Sequence, residues 1–293
     1  MPPEANDPLA SMLAALTLTD TGARTREDIF TAPSQWMPHG RVFGGQVLAQ
    51  TVLASSKTVD EDRTIHSLHG YFLRPGSVDS PITIAVDRIH DGRSFSTRRT
   101  QAYQHGLPIF SMIASFQDHD PGLDHQIDMP SDLPQPEDLP TVAARIGHIE
   151  HDIARFWATS HAFDMRHVPS PIFLAVEGEP VAHQAVWMRT FGAMPDDPAL
   201  HRAAFAYASD HTLLESVMRR HGVPWVTPGL KIASLDHAMW WHRPGRVDEW
   251  FLYVQESPNA IGGRGLALGR IYSRDGALIA STAQEGMIRV PSR

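Results

Sequence analysis

The 293-residue sequence contains no cysteine. That absence excludes disulfides, thiolate metal sites and a cysteine nucleophile together. A reducing compartment, the cytoplasm, is the expected location. Positive charge is in deficit: 25 Lys and Arg against 33 Asp and Glu leave a formal net charge of −8. A broad basic face for nucleic acid or acidic lipid is not expected from that balance. Long apolar runs are missing too. The stretch around Met12–Leu18 is too short to span a bilayer, and no other run approaches the roughly 18 residues required. The N-terminus carries Glu4 and Asp7 where a signal peptide needs Lys or Arg. Neither nucleic acid nor membrane is an expected partner.

Familiar catalytic and nucleotide-binding signatures are also lacking. There is no G-x-S-x-G, Walker A, H-E-x-x-H or G-x-G-x-x-G. GGRGLALG at 262–269 misses the last spacing and reads as a strand entry or bulge. The 17 histidines show no zinc spacing. His148, Glu150 and His151 in GHIEHD offer two ligands at most from a helix, so their expected role is a solvated face. No cofactor and no metal is expected.

What is present is an ordinary globular composition, 42% hydrophobic and 20% charged, in a chain long enough for two domains. It also holds a repeat. RPGSVD at 74–79 returns as RPGRVD at 243–248, an offset of 169. Ser67-Leu68 matches Ser234-Leu235 at offset 167, and HGLPIFS at 105–111 matches DGALIAS at 275–281 at offset 170. Order is kept while the offset drifts slightly, as two copies of one unit with small loop insertions would show.

Each copy repeats one plan. After Gly44-Gly45-Gln46, residues Val47, Leu48, Thr51, Val52 and Ser55 recur at helical spacing. Ala49, Leu53 and Ala54 fill the other face, so this helix should be buried all round. HSLHGYFL, PITIAVDRI, SFSTRRTQAYQ and PIFSMIASFQ then read as strands, separated by Pro-Gly, Asp-Gly and His-Gly turns. In the second copy a helix is expected from Pro198 to His221. IASLDHAMWWH, EWFLYVQES, GLALGRIYS and ALIASTAQE follow as strands, with Pro258–Gly265 as a break. Alternation should turn one ring of Trp240-Trp241 to the core and one away. Residues 118–141, rich in Pro and Asp, read as a linker, and 142–165 as a helical connection.

A buried helix wrapped by an antiparallel sheet, twice per chain, is an α+β layout and the plan of a double hotdog. The expected division is an N-terminal hotdog (1–117), a linker and helical connection (118–180), and a C-terminal hotdog (181–293).

Seven segments carry a more specific signal. RVFGGQVLAQ (41–50), HSLHGYFLRPG (66–76), HDGRSFSTRR (90–99), PIFSMIASFQ (108–117), FAYASD (205–210), IASLDHAMWWHRP (232–244) and ASTAQEGMIR (280–289) resemble, in order, the acyl-CoA thioesterase II family. The resemblance implies a double-hotdog thioesterase that hydrolyses fatty acyl-CoA, of medium to long chain, to fatty acid and CoA. It implies a catalytic Asp at Asp210, the hydroxyl residue at Ser234 and the Gln at Gln284, all in the C-terminal hotdog. It further implies a homo-oligomer, a dimer or higher, with acyl-CoA as the partner.

Those residue types suit the chemistry. A carboxylate accepts a proton from water, and a hydroxyl and an amide orient water and carboxylate. Helix-terminal N–H groups, for which Gly44-Gly45-Gln46 are candidates, stabilise an oxyanion. Taken singly, Asp210 reads equally well as a helix cap, Ser234 as a backbone partner and Gln284 as a solvent-facing residue. Three positions depart from the family pattern. Ser234 stands in place of Thr. His211-Thr212 replace an apolar residue and Asn. His90 replaces Arg. Arg93, Arg98, Arg99, Arg264 and Arg270 are candidates for CoA phosphates, with none singled out. Two other functions fit the same layout: an enoyl-CoA hydratase-type hotdog enzyme and a non-catalytic acyl-CoA-binding module.

Overall fold

The computed structural model describes residues 7–22 and 27–291; Glu4 lies outside them. A short helix, α1 (Pro8–Ala15), and strands β1 (Thr19–Asp20) and β2 (Glu27–Ala32) precede the long helix α2 (Gly44–Ser56). Four strands follow as a meander: β3 (Thr64–Phe72), β4 (Ile82–Asp91), β5 (Phe95–Gln104) and β6 (Leu107–Gln117). Short helices α3 (Val142–Ile146) and α4 (Asp152–Thr159) lead to β7 (Phe163–His167) and β8 (His183–Thr190). The second half then runs α5 (Pro198–Ser209), α6 (Glu215–Arg220), β9 (Lys231–Ser234), β10 (Asp236–Trp241), β11 (Phe251–Ile261), β12 (Arg264–Ser273) and β13 (Leu278–Arg289).

The repeat seen in the sequence is a repeat in hydrogen bonding. In the first half the N–H groups of Leu73 and Arg74 both donate to the Ile109 carbonyl, at 2.8 and 3.3 Å. In the second half His242 and Arg243 donate to Ile279 at the same two distances, 2.8 and 3.3 Å. Gly76 and Gly245 each sit against the corresponding isoleucine, where a Cβ would fall 3.2 and 2.6 Å from its Cδ1. The RPG segment thus closes the same corner twice.

All described strands belong to one antiparallel sheet, in the order β1-β2-β4-β5-β6-β3-β10-β13-β12-β11-β8-β7, with β9 paired to β13 off this path. The halves join at β3 and β10, with Gly70 opposite His237 and Leu68 opposite Met239. The sheet wraps α2 and α5, which pack on each other. α2 is buried from Gly45 to Ser55, as its all-round apolar pattern requires. One continuous core runs from Phe30, Leu48 and Phe116 through Phe205 to Phe251 and Ile271. This is the double hotdog.

Several elements differ from expectation. The helix expected over 198–221 is two helices, because α5 stops at Ser209 and α6 starts at Glu215. Buried side chains hold the intervening turn. Tyr253 Oη donates to the Ser209 carbonyl (3.1 Å), Gln184 Nε2 to the Thr212 carbonyl (3.2 Å) and Gln255 Nε2 to Thr212 Oγ1 (2.6 Å). The first two of these long-range bonds engage carbonyls that a continuous helix would pair internally, and the third holds a side chain of the turn.

The run IASLDHAMWWH is likewise divided. Ser234 pairs with Gly286 but Ala238 pairs with Ala283, so the register slips by one residue between them. Such a bulge bends a strand and re-aims its side chains. β11 continues through Pro258, which the sequence suggested as a break. The register shift between Glu256 and Asn259 there spares proline its missing N–H. Gly262 and Gly263, both at positive φ (62° and 72°), form the two-residue turn between β11 and β12.

Strands β2, β7 and β8 were not anticipated. Residues 163–167, placed above in a helical connection, form β7 against β8. His148, Glu150 and His151 lie between α3 and α4 and not on a helix; His151 Nδ1 accepts the Ile153 N–H and caps α4. Residues 118–135 are irregular, as expected of a linker, yet they are docked. Met129 and Leu133 pack over Trp187, Leu252 and Tyr272 on the outer face, and Trp187 Nε1 donates to the Pro134 carbonyl (3.0 Å). Trp241 faces the core, while Trp240 lies on the other face beside His69, edge-on at 5.2 Å.

Candidate active site

The break after α5 creates the centre of the site. Asp210 is the C-cap of α5, on the turn held by Tyr253, Gln184 and Gln255. The bulge places Ser234 at the end of β9, with Leu235 bonded through its N–H to the Glu285 carbonyl (2.9 Å). Gln284 is buried in β13 opposite Ala267.

These three side chains meet. Asp210 Oδ1 accepts from Ser234 Oγ at 2.9 Å and from Gln284 Nε2 at 2.8 Å. Gln284 Nε2 also donates to Ser234 Oγ at 2.5 Å. The three residues come from positions 24 to 74 apart in the chain. Asp210 is indeed at a helix end, but Ser234 does not bond backbone and Gln284 does not face solvent.

The other carboxylate oxygen faces the first half of the molecule. A Cβ on Gly44 would fall 2.6 Å from Asp210 Oδ2 and 3.1 Å from the Phe72 ring. One on Gly45 would fall 2.4 Å from the Tyr207 carbonyl. The two glycines therefore allow the N-terminus of α2 to approach the end of α5 closely. The Gly45 N–H lies near enough to the carboxylate to favour its ionised form, and the Gly44 N–H, at the first position of α2, makes no hydrogen bond among the described residues. A helix N-terminus of one half thus receives an acid of the other.

Burial pushes the Asp210 carboxyl up to about 6, against the hydrogen bonds from Gln284 and Ser234 and the nearby Gly45 N–H, which favour the ionised form. A carboxylate so placed exchanges protons near neutrality.

His211 does not act on this equilibrium through charge. Its ring stacks on Phe43 (4.6 Å, 17°) and meets Trp157 and Tyr207 edge-on at 5.3 and 5.4 Å. Burial lowers it to about 3, so the imidazole is neutral. Sequence reasoning did not single out His237. It is 1% exposed, with Nδ1 3.1 Å from Gln284 Oε1 and Nε2 3.0 Å from Ser209 Oγ. Its adjacency to the Gln depends on β10–β13 register, which no local motif reports.

The arginines raised as phosphate ligands are largely engaged. Arg98 is buried and bonds Thr58 and Asp91. Arg99 pairs with Asp87, Arg264 with Glu285 and Arg270 with Glu256.

A double hotdog with one carboxylate–hydroxyl–amide cluster in its second half, set against the α2 N-terminus of the first, has clear relatives. The profile of the acyl-CoA thioesterase family matches residues 158–287, and that of the acyl-CoA thioesterase N-terminal domain matches residues 32–117. The chain belongs to the acyl-CoA thioesterase family. It is 39% identical to acyl-coenzyme A thioesterase 8 of Homo sapiens, over 90% of this chain and 85% of that protein. It is 37% identical to acyl-CoA thioesterase 2 of Haemophilus influenzae, over 89% and 92%. Among solved structures, acyl-CoA thioesterase II TesB2 of Mycobacterium marinum superposes with a TM-score of 0.76 at 40% identity, covering 96% of this chain and 99% of that one. A hot dog fold protein of Alicyclobacillus acidocaldarius shares the fold at 20% identity, with a TM-score of 0.78.

Proposed function

We propose that the protein hydrolyses fatty acyl-CoA to a free fatty acid and CoA, with Asp210 as general base and Ser234 and Gln284 positioning the water. The observation that carries this reading is the convergence of Asp210, Ser234 and Gln284 on one atom, Oδ1, which leaves Oδ2 directed at the N-terminus of α2. Its catalytic unit is the C-terminal hotdog, 181–293. The N-terminal hotdog, 1–117, contributes Gly44 and Gly45, and 118–180 connects the two.

The reaction follows from these groups. Water attacks the thioester carbonyl while its proton passes to Asp210 Oδ2. The carbonyl becomes an oxyanion, for which the unpartnered Gly44 N–H at the end of α2 is a suitable donor. The C–S bond then breaks and CoA leaves as a thiolate. A thiol pKa of about 8.5 makes this departure feasible without a strong acid. The proton on Asp210 is released to thiolate or solvent, restoring the base.

The test is an assay with two readouts on one saturated and one enoyl acyl-CoA. Free CoA thiol should appear with the saturated substrate, and no 3-hydroxyacyl-CoA with the enoyl one. Hydroxyacyl-CoA would assign the site to hydration, and tight binding without turnover would assign it to an acyl-CoA-binding module.

Two further outcomes are expected of the same assay. The kcat/KM profile should fall on the acid side with a midpoint near the Asp210 value of about 6, because protonation below that pH removes the base. Ser234→Ala should lower kcat by roughly tenfold and shift that midpoint upward, since the carboxylate loses a hydrogen bond that favours its charged form. An unchanged profile in this variant contradicts the pairing.

The same reading takes the protein as cytoplasmic and as a homo-oligomer, at least a dimer. Among the described residues no helix is long and apolar enough to cross a membrane. The outer sheet face exposes Tyr71 and Ile113 on neighbouring strands, a surface that a second copy would cover.

A further inference from the structure

Gln284 has two ends of opposite character that share nearly one shape. In the orientation found, Nε2 faces Asp210 Oδ1 and Ser234 Oγ at 2.8 and 2.5 Å, and Oε1 faces His237 Nδ1 at 3.1 Å. A flip of the amide would press its carbonyl oxygen against the carboxylate and turn its N–H groups away. The carboxylate already favours the orientation found, and a donor facing Oε1 adds to that preference and holds the far end of the amide in place.

His237 is that donor. Gln284 Oε1 only accepts, so the proton of a neutral ring must sit on Nδ1. Nε2 is then bare and accepts from the Ser209 hydroxyl, 3.0 Å away. The Ala206 carbonyl, 2.9 Å from Ser209 Oγ, is the hydroxyl's alternative acceptor. The donors run one way: Ser209 to His237, His237 to Gln284, Gln284 to Asp210. Ser209 and Asp210 are consecutive residues, so the path leaves the end of α5, crosses β10 and β13, and returns to the next residue.

We propose that His237 is a positioning residue: held as the Nδ1–H tautomer by Ser209, it fixes the Gln284 amide with both N–H groups toward Asp210 and Ser234. This rests on the assignment of Asp210 as the base. His237 lies opposite Gly70 in the strand pair that joins the halves, so the amide is referenced to the most central seam of the sheet.

The surroundings make the effect on pH readable. The carboxylate meets Ser234 from β9, Gln284 from β13 and the Gly45 N–H from α2. The other titratable groups near it are Tyr253 on β11, His211 beside it and His237 itself. Burial raises Tyr253 beyond its ordinary range and lowers His211 to about 3 and His237 to about 4. All three are neutral from pH 5 to 9 on those values, so none of them adds a charge beside Asp210 as it titrates.

The experiment compares His237→Leu with His237→Asn. Both remove the ring and the partner of Ser209. Only Asn can place an N–H where Nδ1 stood. His237→Leu should lower kcat about 30-fold with KM within about threefold, and raise the acid midpoint of kcat/KM by about one pH unit. His237→Asn should recover kcat to within about fivefold of the parent, with the midpoint in its original place. Equal impairment of the two, or a Leu variant with an unmoved midpoint, overturns the proposal.

A second measurement does not depend on turnover or on the Leu variant folding. In the histidine-labelled parent protein, the 15N resonances lost in His237→Asn should show a protonated Nδ1 and a bare Nε2 from pH 5 to 9. A protonated Nε2 overturns the tautomer. Absence of acyl-CoA hydrolysis in the parent protein would instead remove the catalytic reading while this signature still stood.

Discussion

Asp210→Asn is expected to lower kcat by about 10² to 10⁴, the usual contribution of a general base, while the protein stays folded. The amide keeps an oxygen for Ser234 and Gln284, but it cannot take a proton from water. The same change should stabilise the fold at neutral pH. The native carboxyl titrates near 6 and an ordinary Asp near 3.8. Between those values the unfolded chain is ionised while the native group still holds its proton, so stability falls as pH rises through the window. Above it the native state bears the full penalty of the ionised, desolvated group. Removing the charge should recover on the order of 2 kcal/mol at pH 7.5 and almost nothing at pH 4. Urea denaturation of parent and variant at both pH values checks this. A variant less stable at pH 7.5 would mean that the hydrogen bonds to the carboxylate outweigh its burial.

Gly44→Ala is the second large effect. Its methyl would fall 2.6 Å from Asp210 Oδ2 and 3.1 Å from Phe72. Asp210 cannot swing aside freely, because Oδ1 is held by Ser234 and Gln284. The methyl also presses directly on the oxygen proposed to take the proton from water. A loss of at least about 10²-fold in kcat/KM is expected, with a destabilisation of about 1–3 kcal/mol from overpacking. Activity near the parent level would show that the reaction does not use this face of the carboxylate. Gly45→Ala would not separate the two effects, since its methyl meets the backbone carbonyl of Tyr207.

The parts of the fold that were legible are those written in local pattern. β3, β4, β5, β6, β12 and β13 fall where β-branched and aromatic runs stand between turn residues. α2 is apolar all round and is buried all round. The repeat survives because each copy uses one isoleucine carbonyl, Ile109 or Ile279, to close its RPG corner.

The parts that were not legible are set by distant residues. No proline or glycine between Pro198 and His221 marks the end of α5 at Ser209. Tyr253, Gln184 and Gln255 end it from other strands. The slip that divides β9 from β10 depends on the register with β13. Both irregularities lie at the site: one presents Asp210, the other Ser234. Local rules and tertiary structure disagree where the chemistry is proposed, as expected of functional positions. The three polar residues were reached through resemblance to a family. Their hydrogen bonding to one another, the approach of Gly44 and Gly45, and the bond from His237 required three dimensions.

The central claim is that solvent, activated by Asp210, attacks the thioester directly. A single turnover of acyl-CoA with excess enzyme in H₂¹⁸O tests it most simply. The account predicts one ¹⁸O in the fatty acid released in that first turnover and none in the protein. Unlabelled fatty acid, with ¹⁸O in the Asp210 carboxyl, would mean that the carboxylate itself had attacked and that water entered only afterwards.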